Sequence, residues 1–257
     1  ETYFLMNLVN GVTTLRSMRG EEWHLELDRE GKFTPNLILS SVPIRRTDSI
    51  AVAEVDALVK QYKEEGFDFI KILSIATAEH FDALVKGCKK YDMKVAGHCF
   101  NPIDYELALA SGVYESIEHL HGYAWLREFE KMINTLDLGM LNNVAITPTT
   151  DWYYYSPATL EELKQRAGLE FISDELKAQW EKEIATELDT MSQEQIKTYS
   201  DKRKMNYDYR NRLTGFAYKQ GANLLVGPDL EGFYGVPGFG YVEELKHFVK
   251  SGLSNHD

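Results

Sequence analysis

Short apolar runs and longer amphipathic runs take turns along this chain. "NGVTTLRSM" (10–18) and "NLILSSVPI" (36–44) carry β-branched and aliphatic residues behind turn residues, which predicts strands. "DSIAVAEVDALVKQYKEEG" (48–66) spaces its apolar residues at helical intervals, opens on an acid and closes on Gly66. The two rhythms repeat in strand "FDFIKIL" (67–73), helix "TAEHFDALVKGCKKYD" (77–92) with Thr77 as N-cap, strand "KVAGH" (94–98) and helix "NPIDYELALASG" (101–112). Strand "ESIEHL" (115–120), helix "LREFEKMINTLDLGMLNN" (126–143) and strand "VAITPT" (144–149) follow. Beyond 210 come helix "NRLTGFAYKQG" (211–221), strand "NLLVG" (223–227) and helix "YVEELKHFVKSG" (241–252).

This alternation, one unit every 20 to 30 residues, predicts βαβ units and a parallel sheet, an α/β fold. Seven strands exceed the about five or six of a doubly wound sheet, and no glycine-rich phosphate turn follows any of them. A (β/α)8 TIM barrel has eight. Seven strands in a chain that starts in mid-pattern fit an incomplete barrel without its first strand. The expected organisation is one barrel domain over residues 1–257. Its rhythm breaks at about 150–210, a charged, tyrosine-rich, helix-forming insertion that reads either as a solvated surface element or as a lid over the C-terminal face.

Composition narrows the functions. With 257 residues, 44% of them hydrophobic, the chain can bury a substantial core. A net charge of -12 repels phosphate backbones and argues against nucleic acid. No apolar run approaches the roughly 20 residues that span a bilayer, so a soluble protein without a membrane span is expected. The start "ETYFLMNLVNG" has no basic region and no small-residue cleavage site, leaving the compartment open between cytoplasm and export after loss of a signal peptide. Cys88 and Cys99 have no metal-binding spacing and are expected as free thiols.

Polar groups recur where strands end. Lys71 follows "FDFI", His98 follows "KVAG", His119 follows "ESIE" and Asp229 follows "NLLVGP". A parallel barrel gathers all C-terminal strand ends on one face. With a period of two, Phe69 and Lys71 share a side, as do Ala96 and His98, and Ile117 and His119, so the four polar groups can point inward together. Two imidazoles and a carboxylate suit a divalent transition metal, zinc by default. A protonated lysine has no lone pair, but a neutral one can add CO₂ and become an anionic carbamate ligand. Further pocket candidates are His121 and Tyr123 in "HLHGYAW", Thr147 and Thr149 in "ITPTTDW", and Arg16 towards the end of the strand at 10–18, the last for a substrate carboxylate.

"NGVTTLRSM", "DFIKI", "VAGH", "SIEHL" and "VPGFGYVEELKHFVKSGLS", in that order, resemble the metal-dependent amidohydrolase superfamily, nearest its imidazolonepropionase-like and prolidase-like members. The resemblance runs from about residue 3 to 257. It implies a (β/α)8 barrel that hydrolyses a C–N bond in an amide, dipeptide or cyclic amide, using one or two metal ions, zinc among them. It implies Lys71 as a carbamate bridging the metals, His98 and His119 as ligands, and Asp229 as both ligand and general base. Its partners are then small-molecule or dipeptide substrates.

Three departures stand against that pattern. No His-x-His precedes "GVTT", and the one such motif is "HLH" at 119–121. Pro228 occupies the position before Asp229 where the family has threonine. The chain ends at "SNHD", where the family continues into further helices. A sheet lacking a strand has two open edges, a route to homo-oligomers. The alternative reading is a catalytically incomplete family fragment acting as a binding or scaffold module. A third, a sugar-phosphate aldolase with Lys71 as Schiff base, leaves both histidines without a task.

Overall fold

The computed structural model describes residues 2–100, 105–121, 137, 139, 143–155, 160–230 and 234–257. It divides into two compact units: Thr13–Pro148 with Ala217–Leu225, and the first twelve residues with Thr149–Phe216 and Val226–Asp257.

The first unit is the α/β layer. Its strands are β1 (Thr14–Ser17), β2 (Asn36–Leu39), β3 (Ile70–Ile72), β4 (Val95–Gly97), β5 (Tyr114–Glu118) and β6 (Ala145–Thr147). Every pairing is parallel and follows sequence order. Parallel bridges Ser40–Phe69 and Ile146–Leu224 continue the ladder from β2 to β3 and from β6 to the segment around Leu224. The seven strand positions expected from the alternation are therefore all present, the last reduced to a single bridge.

The sheet is strongly curved, as one side chain shows. Arg16 on β1 donates to Ser116 Oγ at 2.7 Å, Glu118 Oε1 at 2.9 Å and Thr147 Oγ1 at 3.3 Å, on β5 and β6. In a flat sheet β1 and β5 would lie four strand spacings apart, about 19 Å, farther than an arginine extends. The residues that meet Arg16 therefore line a concave face.

Helices α2 (Val55–Glu65), α3 (Ala78–Tyr91) and α4 (Tyr105–Ala110) belong to this unit. Helix α2 closes on Gly66 at φ 95, the left-handed conformation glycine adopts without penalty. Thr77 caps α3, its hydroxyl accepting from the His80 amide, as the sequence predicts. The two helices pack through Val59 against Gly87, and with Leu84 and the strand residues Ile70, Ile72, Val95 and Ile117 they form a fully buried core. Each such side chain contributes roughly 1.5–3 kcal/mol relative to exposure. The expected helix 126–143 falls largely outside the described residues.

The second unit is helical: α1 (Thr2–Val9), α5 (Thr150–Tyr155), α6 (Leu160–Leu163), α7 (Asp174–Asp189), α8 (Gln193–Lys219) and α9 (Phe239–Lys250). The sequence reading started a separate helix at 211. Instead α8 runs unbroken over 27 residues, because neither proline nor glycine interrupts 193–214. Its first glycine, Gly215, sits against the Ser251 carbonyl, where a Cβ would approach to 2.0 Å.

A buried polar cluster organises this unit. Glu244 on α9 accepts the Thr150 amide on Oε1 and the Asp151 amide on Oε2, capping α5 from outside its own chain segment. Asp151 is held bidentately by Arg166, and His247 Nε2 lies 3.5 Å from Asp151 Oδ1. Burial pushes the Glu244 carboxyl up to about 8, assisted by the Asp151 charge and opposed by the two amide bonds. An acid whose folded pKa is raised holds its proton more tightly when folded. Its stabilising contribution is complete below about 4.5 and disappears as pH rises through 8.

Two outcomes follow. Unfolding free energy should fall between pH 5 and 8 by an amount on the order of 3–5 kcal/mol attributable to this carboxyl. Glu244→Gln should flatten that slope in urea titrations at several pH values, and an unchanged slope would contradict the assignment. Gly97→Ala should cost about 2–4 kcal/mol. Gly97 has φ 147, and an added Cβ would lie 2.1 Å from the Ile72 carbonyl. A urea midpoint equal to that of the parent would refute this.

Candidate metal centre

Register decides which side chains meet. Lys71 pairs with Ala96, Ala96 with Ser116, and Ser116 with Ala145; one layer on, Glu118 pairs with Thr147. Parallel partners share a face, so these residues occupy the concave side with Arg16. Between Val95 and Ala96 the register slips by one, leaving Glu115 as an exposed bulge. The alternation expected from sequence put Ile117 and His119 on the site face. The register places Ser116 and Glu118 there, and Ile117 is fully buried on the other side.

His119 reaches the site by a different device. His121 N donates to Glu118 O at 3.0 Å, closing a four-residue turn. Its two central residues, His119 at φ 60 and Leu120 at φ 53, are both left-handed, the pattern of a type I′ turn. Such a turn normally takes asparagine or glycine, and a leucine there costs about 1–2 kcal/mol. The chain accepts that strain, and the turn swings His119 back towards His98.

The result is a triangle of imidazoles. Ring centroids lie 4.9 Å apart for His98–His119, 4.6 Å for His98–His121 and 4.8 Å for His119–His121. One ring nitrogen from each lies within 4.8 Å of the others. Phe100 forms a wall, 5.3 Å from the His98 ring and 4.4 Å from that of His121. Burial lowers the His98 pKa to about 3, with the Lys71 charge adding to the effect and a hydrogen bond to the Leu73 backbone opposing it. His98 is thus neutral across the physiological range and keeps a lone pair for a cation. The Leu73 contact orients its ring, as partners of metal-bound histidines do.

Lys71 is buried on the same face, with its amide bonded to Ser41 Oγ. Thr147 is buried and serves β5: its carbonyl accepts the His119 amide at 2.8 Å and its hydroxyl meets Arg16. Arg16, expected to greet a substrate carboxylate, already has a carboxylate partner in Glu118. Asp229 belongs to the helical unit, at φ 51, where its charge acts on Tyr153. Tyr123 lies outside the described residues. Both cysteines are buried and neither forms a disulfide, and burial lifts Cys88 to about 12, making it inert. Glu118 and Ser116 escaped the sequence reading, although their period-two spacing beside His119 was the available signal.

No family model and no curated protein matches the sequence. Solved structures do match. A bottromycin amidohydrolase superposes with a TM-score of 0.73 at 20% identity, over 99% of this chain and 61% of that one. A Xaa-Pro dipeptidase with methionine in its active site gives 0.60 at 20% identity, over 98% and 62%. An ochratoxinase of A. niger gives 0.63 at 15% identity, over 98% and 58%. The chain therefore spans about three fifths of the length of these neighbours. Its parallel α/β architecture, with strands in sequence order and histidines at their C-terminal ends, is a fold shared with amidohydrolase structures.

Proposed function

We propose that this chain is a metal-dependent hydrolase of a C–N bond in an amide, dipeptide or cyclic amide, built on an incomplete (β/α)8 barrel over residues 1–257 with its helical insertion at about 150–210. The observation that carries the reading is the imidazole triangle at the C-terminal ends of β4 and β5. The names of two structural neighbours, an amidohydrolase and a Xaa-Pro dipeptidase, support the reaction class.

The donor set fits a divalent transition ion such as zinc. Around tetrahedral zinc, with Zn–N about 2.0–2.1 Å, ligand nitrogens stand about 3.4 Å apart. The ring nitrogens lie within 4.8 Å of one another, at most about 1.4 Å wider than that value. His98, His119 and His121 would hold the ion. Lys71, buried on the same face, is the residue for a carbamate ligand to a second ion. Bound there, the ion would supply an activated water and polarise the scissile carbonyl.

The chain's own groups do the rest. Burial keeps His98 unprotonated, with the Lys71 charge adding to this only while that amine carries no carbamate, and the Leu73 backbone fixes its ring. Phe100 screens one side from solvent. Asp229 is assigned the proton transfer to the leaving nitrogen on the strength of the family resemblance. Thr147 and Tyr123 are kept as candidate substrate contacts.

Metal analysis after dialysis against zinc should give at least one equivalent per chain, and intact mass an excess matching CO₂ if Lys71 is carbamylated. His119→Ala should weaken zinc binding by more than the about 10–100-fold that changes behind a ligand cost. The same variant should abolish hydrolysis of a panel of Xaa-Pro dipeptides and N-acyl amino acids while keeping the circular dichroism spectrum. A protein that takes up no zinc would overturn the reading in favour of a scaffold. Full activity in His119→Ala would remove that residue from the site.

A further inference from the structure

We propose that Arg16 is a positioning residue for the imidazole triangle, acting through Glu118; this rests on the metal reading above. The turn from Glu118 to His121 is strained at both central residues, and such strain persists only where the surroundings impose it. Three ties impose it. The Glu118 carbonyl accepts the His121 amide at 3.0 Å, and the Thr147 carbonyl accepts the His119 amide at 2.8 Å. The third tie is the Glu118 side chain, 3% exposed and paired with Arg16. Because Glu118 stands next to His119 and also closes the turn on His121, its orientation sets where both rings point.

Arg16 is suited to this task. One guanidinium nitrogen meets Ser116 and the other meets both Glu118 and Thr147, so one planar group ties β1 to β5 and to β6. Ser116 Oγ in turn donates to Glu118 Oε1 at 2.5 Å. The Phe69 ring, on the residue just before β3, lies 5.8 Å from the guanidinium carbon. A lysine could supply the charge but not the planar fork.

The test uses cobalt(II), whose visible absorption reports ligand geometry, together with the imidazole Cε1–H signals in metal-free protein. Arg16→Lys should weaken cobalt(II) binding about 10–100-fold, alter the visible band and shift the His119 and His121 signals, with those of the remote His80 and His256 unmoved. Arg16→Met leaves the Glu118 carboxylate buried alone and can unfold the chain. The double variant Arg16→Met/Glu118→Met removes both charges and should recover thermal stability without recovering cobalt affinity or the parent imidazole signals. Parent-like affinity and signals in Arg16→Lys or in the double variant would overturn the proposal and leave a purely structural strap. If the parent protein binds no cobalt, the metal reading fails, while the imidazole signals still decide the positioning role.

Discussion

A parallel sheet delivers the C-terminal end of every strand to one edge, and the site depends on that constraint. Lys71, His98 and His119 are 27 and 21 residues apart in sequence, yet β3, β4 and β5 lie side by side. No local element could bring them together. The pairing does, because the register puts Lys71, Ala96 and Ser116 in one layer and Glu118 with Thr147 in the next. Gly97 lets β4 run close enough to the Ile72 carbonyl for that alignment, and the next residue is His98.

Chemistry and strain then divide the work. The strands alone would turn His119 away from the concave face. A left-handed turn brings it back, at a cost of about 1–2 kcal/mol for each of two residues. The core under β3 to β6 and the Arg16 network make that cost bearable. The same concave face carries opposite charges in separate layers, with Lys71 beside His98 and Glu118 beneath His119. The three imidazoles lie close together, and His98 among them stays neutral, which is the state a cation needs.

Much of the fold was legible in sequence because it is local. Period-two runs marked the strands, helical spacing marked α2 and α3, and Thr77 and Gly66 punctuated them where expected. The strand-end histidines were legible for the same reason. Pairing-dependent features were not. The slip at Glu115 reverses which residues of β5 face the site, and no local pattern marks it. The left-handed turn was hidden because histidine and leucine are not turn residues. The Arg16–Glu118 contact joins positions 102 residues apart. Helix α8 was split at 211 because an apolar pattern resumes there, whereas continuity is set by the absence of breakers. Glycine-to-carbonyl packing at Gly215 is likewise invisible until α8 and α9 are seen together.

The account turns on three imidazoles surrounding one ion. X-ray absorption at the zinc edge of the zinc-loaded protein measures this directly. It should show nitrogen scatterers at about 2.0–2.1 Å with the multiple-scattering pattern of several imidazole rings. A first shell of oxygen alone, or sulfur at about 2.3 Å from Cys99, would contradict it.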